Sequence, residues 1–454
     1  MVALAYAASA AAKAVPQDVT LTMSDGVEVA CTYWQPIGLR PARVPAVMLF
    51  HGLGGKRQDM SLLADQLGAD GYASLACDAR GHGASGGLFG LDGPRDVQDT
   101  RELFDWLAGR GNLDGSRIGA LGISLGGGAV WNAAAAGVPF RAIVPVITWT
   151  NLAEALAPQG LAKSGLVLYL SQLVPATRFD PELLGALPSL LTGSDITRAL
   201  ELTGARSVAS TLPRITVPTL LIQGRHDFLF DIDQALAAYR RLGGPRRLYL
   251  GDLGHSPAPN PPAEVPYYTR QAELWLDRFL KGTANGIDTR PPVQLGADPW
   301  TGHVASYRTL PPVRRLTLSL PGTTRIAQGA KVVRSIRLRS AAETFGDSVV
   351  SFPAASRTSW DHVVAVLSVG DTVVSEGGTT THGLTGRPRT VRIRLLDEAV
   401  KIRKGARVTL TLAATSTAQD PGNLLYAREV DAGSTLTVGR VTLSLSVLAK
   451  PVSR

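Results

Sequence analysis

Apolar residues follow two different rhythms along this chain. Val44 to Phe50, Tyr72 to Cys77, Ile118 to Ile123, Ala142 to Ile147, Thr219 to Gln223 and Arg247 to Leu250 are near-continuous apolar runs. That is the pattern of strands covered on both faces. Between them lie amphipathic stretches at about Asp59 to Asp70, Asp96 to Leu107, Asp231 to Arg241 and Glu264 to Leu280, spaced as helices. Strands alternating with helices predict a parallel α/β sheet, which places its sites at the carboxyl ends of the strands. Asp18 to Tyr33 alternates around Ser24-Asp25-Gly26 and predicts a β-hairpin that opens the unit.

The alternation stops between Thr148 and Pro213. Helical patterns and prolines fill that interval, and a structureless loop of such length is improbable. It is expected to form a helical cap over the site. Residues 283–312 are rich in Pro and Gly and read as a linker. From Val313 the rhythm becomes short alternating runs: Arg315 to Leu320, Val349 to Phe352, Val363 to Ser368, Thr390 to Leu395, Arg407 to Ala413, Ser434 to Val438 and Val441 to Val447. Turn residues separate them, which predicts a β-sandwich of roughly eight strands. The expected organisation is therefore an α/β unit over 18–282 with a cap at about 148–213, a linker over 283–312 and a sandwich over 313–454.

The chemistry converges on the third apolar run. It ends in Gly122-Ile123-Ser124-Leu125-Gly126, followed by Gly127, Gly128 and a small-residue segment. This predicts a strand, a sharp turn and a helix, with the serine hydroxyl lifted above the sheet. Gly122 and Gly126 stand where a Cβ would collide. A serine hydroxyl is a poor nucleophile near neutral pH and needs a base and a group to orient that base. The run ending at Gln223 is followed by Gly224-Arg225-His226-Asp227, and the last run by Gly251-Asp252-Leu253-Gly254-His255. Asp227 is the expected acid and His255 the expected base. Asp231 and Asp233 are rivals for the acid, and His226 for the base. An oxyanion needs two donors, expected from the N–H groups of Leu125 and Leu53. His51 and His82 read as structural, and Asp78 as the tie of the turn around Arg80 and Gly81. Trp149 is a candidate substrate contact, with a packed core position as its alternative.

Composition narrows the class. The net charge is +9, yet from Arg290 onward there are 22 basic and 11 acidic residues, against 24 and 26 before it. The excess is scattered without interleaved aromatics, so nucleic acid is not an expected partner. A solvated basic β surface is the expected account, with attraction to an acidic envelope or polymer as the alternative. No metal-ligand spacing and no dinucleotide fingerprint occur, so neither a metal nor another cofactor is expected. The expected partner is a small-molecule or polymeric ester substrate. No run is long enough to span a membrane. Two cysteines, Cys31 and Cys77, are no disulfide framework; free buried thiols are the default and a single bridge the alternative. Met1 to Ala14 is mostly alanine and apolar, with Ala8-Ser9-Ala10 like a cleavage site. Residues 1–17 are read as a signal remnant or an unstructured start. A secreted or envelope location is favoured, with the cytoplasm as the alternative.

These residues resemble the α/β-hydrolase superfamily. The resemblance rests on His51-Gly52, the Asp78-x-Arg80-Gly81-x-Gly83-x-Ser85-x-Gly87 turn, Gly122-x-Ser124-x-Gly126, Asp227 and His255, over about residues 18–281. More narrowly the chain looks like the X-Pro dipeptidyl-peptidase and cocaine-esterase group. Trp300, the Val363-to-Gly383 run and Ile402-Arg403-Lys404-Gly405-Ala406-Arg407-Val408-Thr409-Leu410 look like that group's C-terminal jelly-roll domain. Ile147 to Leu152 looks like its entry to the cap. The resemblance implies a serine hydrolase acting through an acyl-enzyme. Leu125 stands where the group carries an aromatic, and Leu53 where its esterases carry a tyrosine donor. These departures point to a general carboxylic-ester hydrolase, with an X-Pro dipeptidyl-peptidase as the alternative.

Overall fold

The computed structural model describes residues 14–37, 43–385, 387–416 and 423–452. Of residues 1–17, read as a signal remnant or unstructured start, those before Ala14 lie outside them, while 14–17 are not unstructured but open a strand paired with Tyr33 to Pro36. Ten strands form one sheet: β1 (Ala14–Thr22), β2 (Glu28–Pro36), β3 (Val44–Phe50), β4 (Ala73–Cys77), β5 (Leu113–Ile123), β6 (Ile143–Val146), β7 (Thr219–Gly224), β8 (Arg246–Gly251), β9 (Val293–Gly296) and β10 (Val304–Tyr307). Their spatial order is β1-β2-β4-β3-β5-β6-β7-β8-β9-β10. From β4 to β9 neighbours run parallel. The opening hairpin and the β9–β10 pair are antiparallel. The stretch expected to be a linker thus supplies two strands to the sheet. Their short length and flanking prolines hid them from the apolar pattern.

Burial on both faces explains the unbroken runs. Ala46 and Met48 of β3 pack on one side with helices α2 (Pro94–Ala108), α3 (Leu125–Ala135) and α8 (Ile232–Arg241). Val47 and Leu49 pack on the other with α1 (Ser61–Ala69) and α9 (Val265–Leu280). Successive side chains of a strand point to opposite faces, so both must be apolar. Cys31 and Cys77 face each other across β2 and β4 and are joined as a disulfide. This corrects the expectation of free thiols, because strand pairing sets a distance that sequence separation does not.

Residues between β6 and β7 form α4 (Leu152–Leu156), α5 (Ser164–Ser171), α6 (Pro181–Thr192) and α7 (Thr197–Gly204). The start of α6 shows why such a segment folds: the Asp180 carboxylate accepts the Glu182 N–H, and Pro181 opens the first turn. Gly193 at φ 71° ends it. Among the described residues no helix is long and apolar enough to cross a membrane.

The C-terminal part is all-β and antiparallel. One sheet has the order β11 (Val313–Leu320), β22 (Val441–Leu448), β15 (Val349–Ser356), β21 (Thr435–Val438) and β12 (Thr324–Ala327), with β18 (Arg389–Arg394) also paired to β15. A second has the order β13 (Val332–Arg337), β20 (Arg407–Ala413), β16 (His362–Val369) and β17 (Thr372–Thr380). Their inner faces share one core containing Phe352, Val363, Leu367, Leu410 and Leu443. A short pair, β14 (Ala342–Glu343) with β19 (Lys401–Ile402), completes it. The described strands outnumber the eight expected. β17 was hidden because its centre is Glu376-Gly377-Gly378, yet the Glu376 carboxylate is fully buried and accepts from Ser416 and Asn423.

Candidate active site

Ser124 sits at the turn between β5 and α3 with φ 56° and ψ −115°, a conformation that costs a non-glycine residue on the order of 1–3 kcal/mol. Its N–H is held by Val146 O at 2.9 Å. The flanking glycines are required by space. A Cβ on Gly122 would be driven into Gly126 O, and one on Gly126 into Phe50 O. A Cβ on Gly127 would stand 2.6 Å from Cβ of Thr148. The first N–H groups of α3 lack helical partners, so Leu125 N–H lies at the positive end of the helix beside the serine.

The loops after β7 and β8 bring the other two residues to this point. His255 Nε2 lies 2.8 Å from Ser124 Oγ, and His255 Nδ1 lies 2.9 Å from Asp227 Oδ2. Asp227 has no solvent exposure. Its Oδ1 accepts the N–H groups of Leu229 at 3.1 Å and Phe230 at 2.9 Å, and its Oδ2 also accepts the N–H of His255 at 3.0 Å. So many donors fix the carboxylate in place. It leaves Nδ1 of His255 as a proton donor, which frees Nε2 to accept. The Phe230 ring stands edge-on to the imidazole with centroids 5.3 Å apart.

The rivals lie elsewhere. The Asp231 carboxylate accepts Asp397 N–H at 3.0 Å, and burial raises it to about 6. Asp252 accepts Trp300 N–H at 3.0 Å. His226 Nε2 stands 3.6 Å from Asp252 Oδ1 and 3.4 Å from Asp298 Oδ1. These three are the group, among the described residues, whose donor atoms could hold a metal ion; an imidazole set between two carboxylates is the same geometry without one. His51 donates through Nδ1 to Gly52 O at 2.8 Å and accepts Ala79 N–H at Nε2, 3.0 Å away. It braces the loop that carries Leu53. His82 donates to Arg80 O at 3.0 Å, and burial lowers it to about 4. Asp78 accepts from Arg57 N–H at 2.6 Å and Ala84 N–H at 2.8 Å, tying the turn.

Two residues that pattern reading passed over brace the acid loop. Lys163, 1% exposed and entering from the cap, donates to Phe228 O at 2.8 Å and Leu229 O at 3.2 Å. Arg225, fully buried, donates to Ala399 O at 2.8 Å and also to Gly296 O and Glu343. No local signal separates a buried cation from a solvated one, since the compensating carbonyls are distant in sequence.

Above Ser124 a cavity of about 120 Å³ opens under the cap, lined by Leu53, Leu125 and Trp149 among others. Trp149 is 3% exposed and donates through Nε1 to Arg206 O at 2.7 Å. It is thus both a packed residue and part of the cavity wall.

Comparison with known proteins agrees with this architecture. Residues 25–183 match the family model of the X-Pro dipeptidyl-peptidase (S15 family). A putative Xaa-Pro dipeptidyl-peptidase from Streptomyces avermitilis is 24% identical over 378 residues, which cover 76% of this chain and 50% of that protein. The chain spans about half the length of the curated relatives it matches. A CocE/NonD family hydrolase from Staphylococcus aureus superposes with a TM-score of 0.74 at 14% identity, covering 96% of this chain and 94% of that one. An alpha-amino acid ester hydrolase superposes with a TM-score of 0.65 at 15% identity, covering 97% and 98%. The chain therefore has the α/β-hydrolase fold followed by an all-β unit. Within that fold its likeness is to the S15 and CocE/NonD group of hydrolases.

Proposed function

We propose that the protein is a serine carboxylic-ester hydrolase working through an acyl-enzyme. The observation that carries this reading is the unbroken relay from Ser124 Oγ through both nitrogens of His255 to Asp227, with links of 2.8 and 2.9 Å. Ser124 Oγ attacks the ester carbonyl while His255 Nε2 takes its proton. Asp227 keeps the imidazole turned and stabilises its charge. The N–H groups of Leu125 and Leu53 hold the oxyanion. His255 returns the proton to the leaving alcohol, then activates water for the second half-reaction. Trp149 contacts the substrate from the cavity wall.

A fluorophosphonate should label Ser124, and Ser124→Ala should lose both the label and nitrophenyl-ester turnover, the latter by on the order of 10⁴-fold or more. Turnover of Ser124→Ala at the native rate would refute the assignment. A second reading, an X-Pro dipeptidyl-peptidase, is favoured by the family match over residues 25–183. A Pro-containing dipeptide reporter measured beside a short-chain ester separates the two. A secreted or envelope location is supported by the Cys31–Cys77 disulfide, since such bonds persist in oxidising compartments.

A further inference from the structure

We infer that the cavity beneath the cap is the acyl site, and that it takes an uncharged apolar chain. The inference rests on the ester-hydrolase reading and specifies its substrate class. The walls carry Leu125, Trp149, Leu152, Leu170, Leu183 and Leu187, side chains that gain by excluding water. Polar side chains in the lining are already engaged. Ser171 Oγ donates to Leu168 O, Thr203 Oγ1 to Leu200 O, and Arg206 to Gly90 O and Leu202 O. Apart from Ser124 the wall therefore presents apolar carbon to a ligand.

Charge points the same way. The one ionisable residue in the described lining is the cation Arg206, and no carboxylate lines it. A substrate with a free α-ammonium would lose its hydration there with no counter-charge in return. Cleaving an aminoacyl ester or an X-Pro dipeptide through this pocket would need such a counter-charge.

The position of the cavity assigns the side of the ester. Leu53, Ser124 and Leu125 line it, and His255 does not. The leaving alcohol must lie within reach of His255 Nε2 to receive its proton. It therefore departs on the histidine side, outside the cavity. The acyl chain extends away from it, past Leu125 toward Ala186 and Ala199 on α6 and α7.

The test uses the full chain and a nitrophenyl ester series from acetate to hexanoate. Each methylene buried should raise kcat/KM about fourfold. The nitrophenyl ester of phenylglycine should be cleaved on the order of 10²-fold more slowly than that of phenylacetate, which differs by the ammonium alone. Ala186→Phe and Ala199→Phe, made separately, should each lower the hexanoate-to-acetate ratio tenfold or more. The native series decides if either variant does not fold. A flat or falling series, or preference for the phenylglycine ester, would overturn the acyl-site assignment. Loss of all these activities in Ser124→Ala would in that case leave the ester-hydrolase reading standing.

Discussion

Replacing Asp227 by Asn changes few atoms and should nearly abolish turnover. The native carboxylate receives four N–H bonds, two on each oxygen. An asparagine has a single acceptor oxygen. If that oxygen keeps the Leu229 and Phe230 N–H groups, the amide NH2 faces the backbone N–H and Nδ1 of His255. The backbone donor is then left without a partner. The ring can bond the amide only by giving up the proton on Nδ1, which moves it to Nε2. That proton points at Ser124 Oγ, and Nε2 can no longer accept. The expected loss is on the order of 10⁴-fold in kcat, about 5 kcal/mol of barrier. Losing a buried bond to a charged group should also lower stability by about 1.5–3 kcal/mol. Pre-steady-state release of nitrophenol gives the acylation rate directly, and thermal unfolding shows whether the variant is folded. A folded Asp227→Asn protein acylating within about tenfold of the native rate would refute the relay.

Two other expectations concern stability. The Cys31–Cys77 bridge closes a separation of 46 residues, for which loop entropy gives about 4 kcal/mol as an upper value; unfolded, unreduced protein should titrate no free thiol, and the double Cys→Ser variant should melt lower, whereas two titratable thiols would contradict the bridge. Burial raises Glu376 to about 7, so the folded state holds a proton that the unfolded state releases above about 4.5. Native stability from this group is therefore present below that pH and is lost as pH rises through about 7. Glu376→Gln should flatten urea midpoints across that window, and an unchanged slope would show that the carboxyl is not neutral when buried.

The parts legible from the sequence were those whose physics is local. A glycine on each side of Ser124 follows from contacts within a few residues of the turn. The runs at β3, β4 and β7 read as buried strands because both faces of each are covered. Asp227 and His255 each stand just after such a run, where a parallel sheet places its loops. The remainder depended on partners far along the chain. β9 and β10 are short strands among prolines at one end of the sheet, recognisable only once β8 offers an edge. Pairing of Cys31 with Cys77 follows from the register of β2 against β4. Lys163 and Arg225 look like any surface cation until carbonyls from other loops are seen around them. Glu376 carries no local sign of its burial, because the strands that cover it lie elsewhere in the chain.

Arg225 has a consequence for how the molecule comes apart. It leaves the sheet two residues before Asp227 and carries its charge into the interior, where Gly296, Glu343 and Ala399 receive it. The all-β unit supplies two of those three receptors. Stripped of that unit, the guanidinium would have to find water, and the loop beneath it would be free to swing. The β unit is thus no detachable appendage: melting it and disabling the reaction centre should be a single cooperative event.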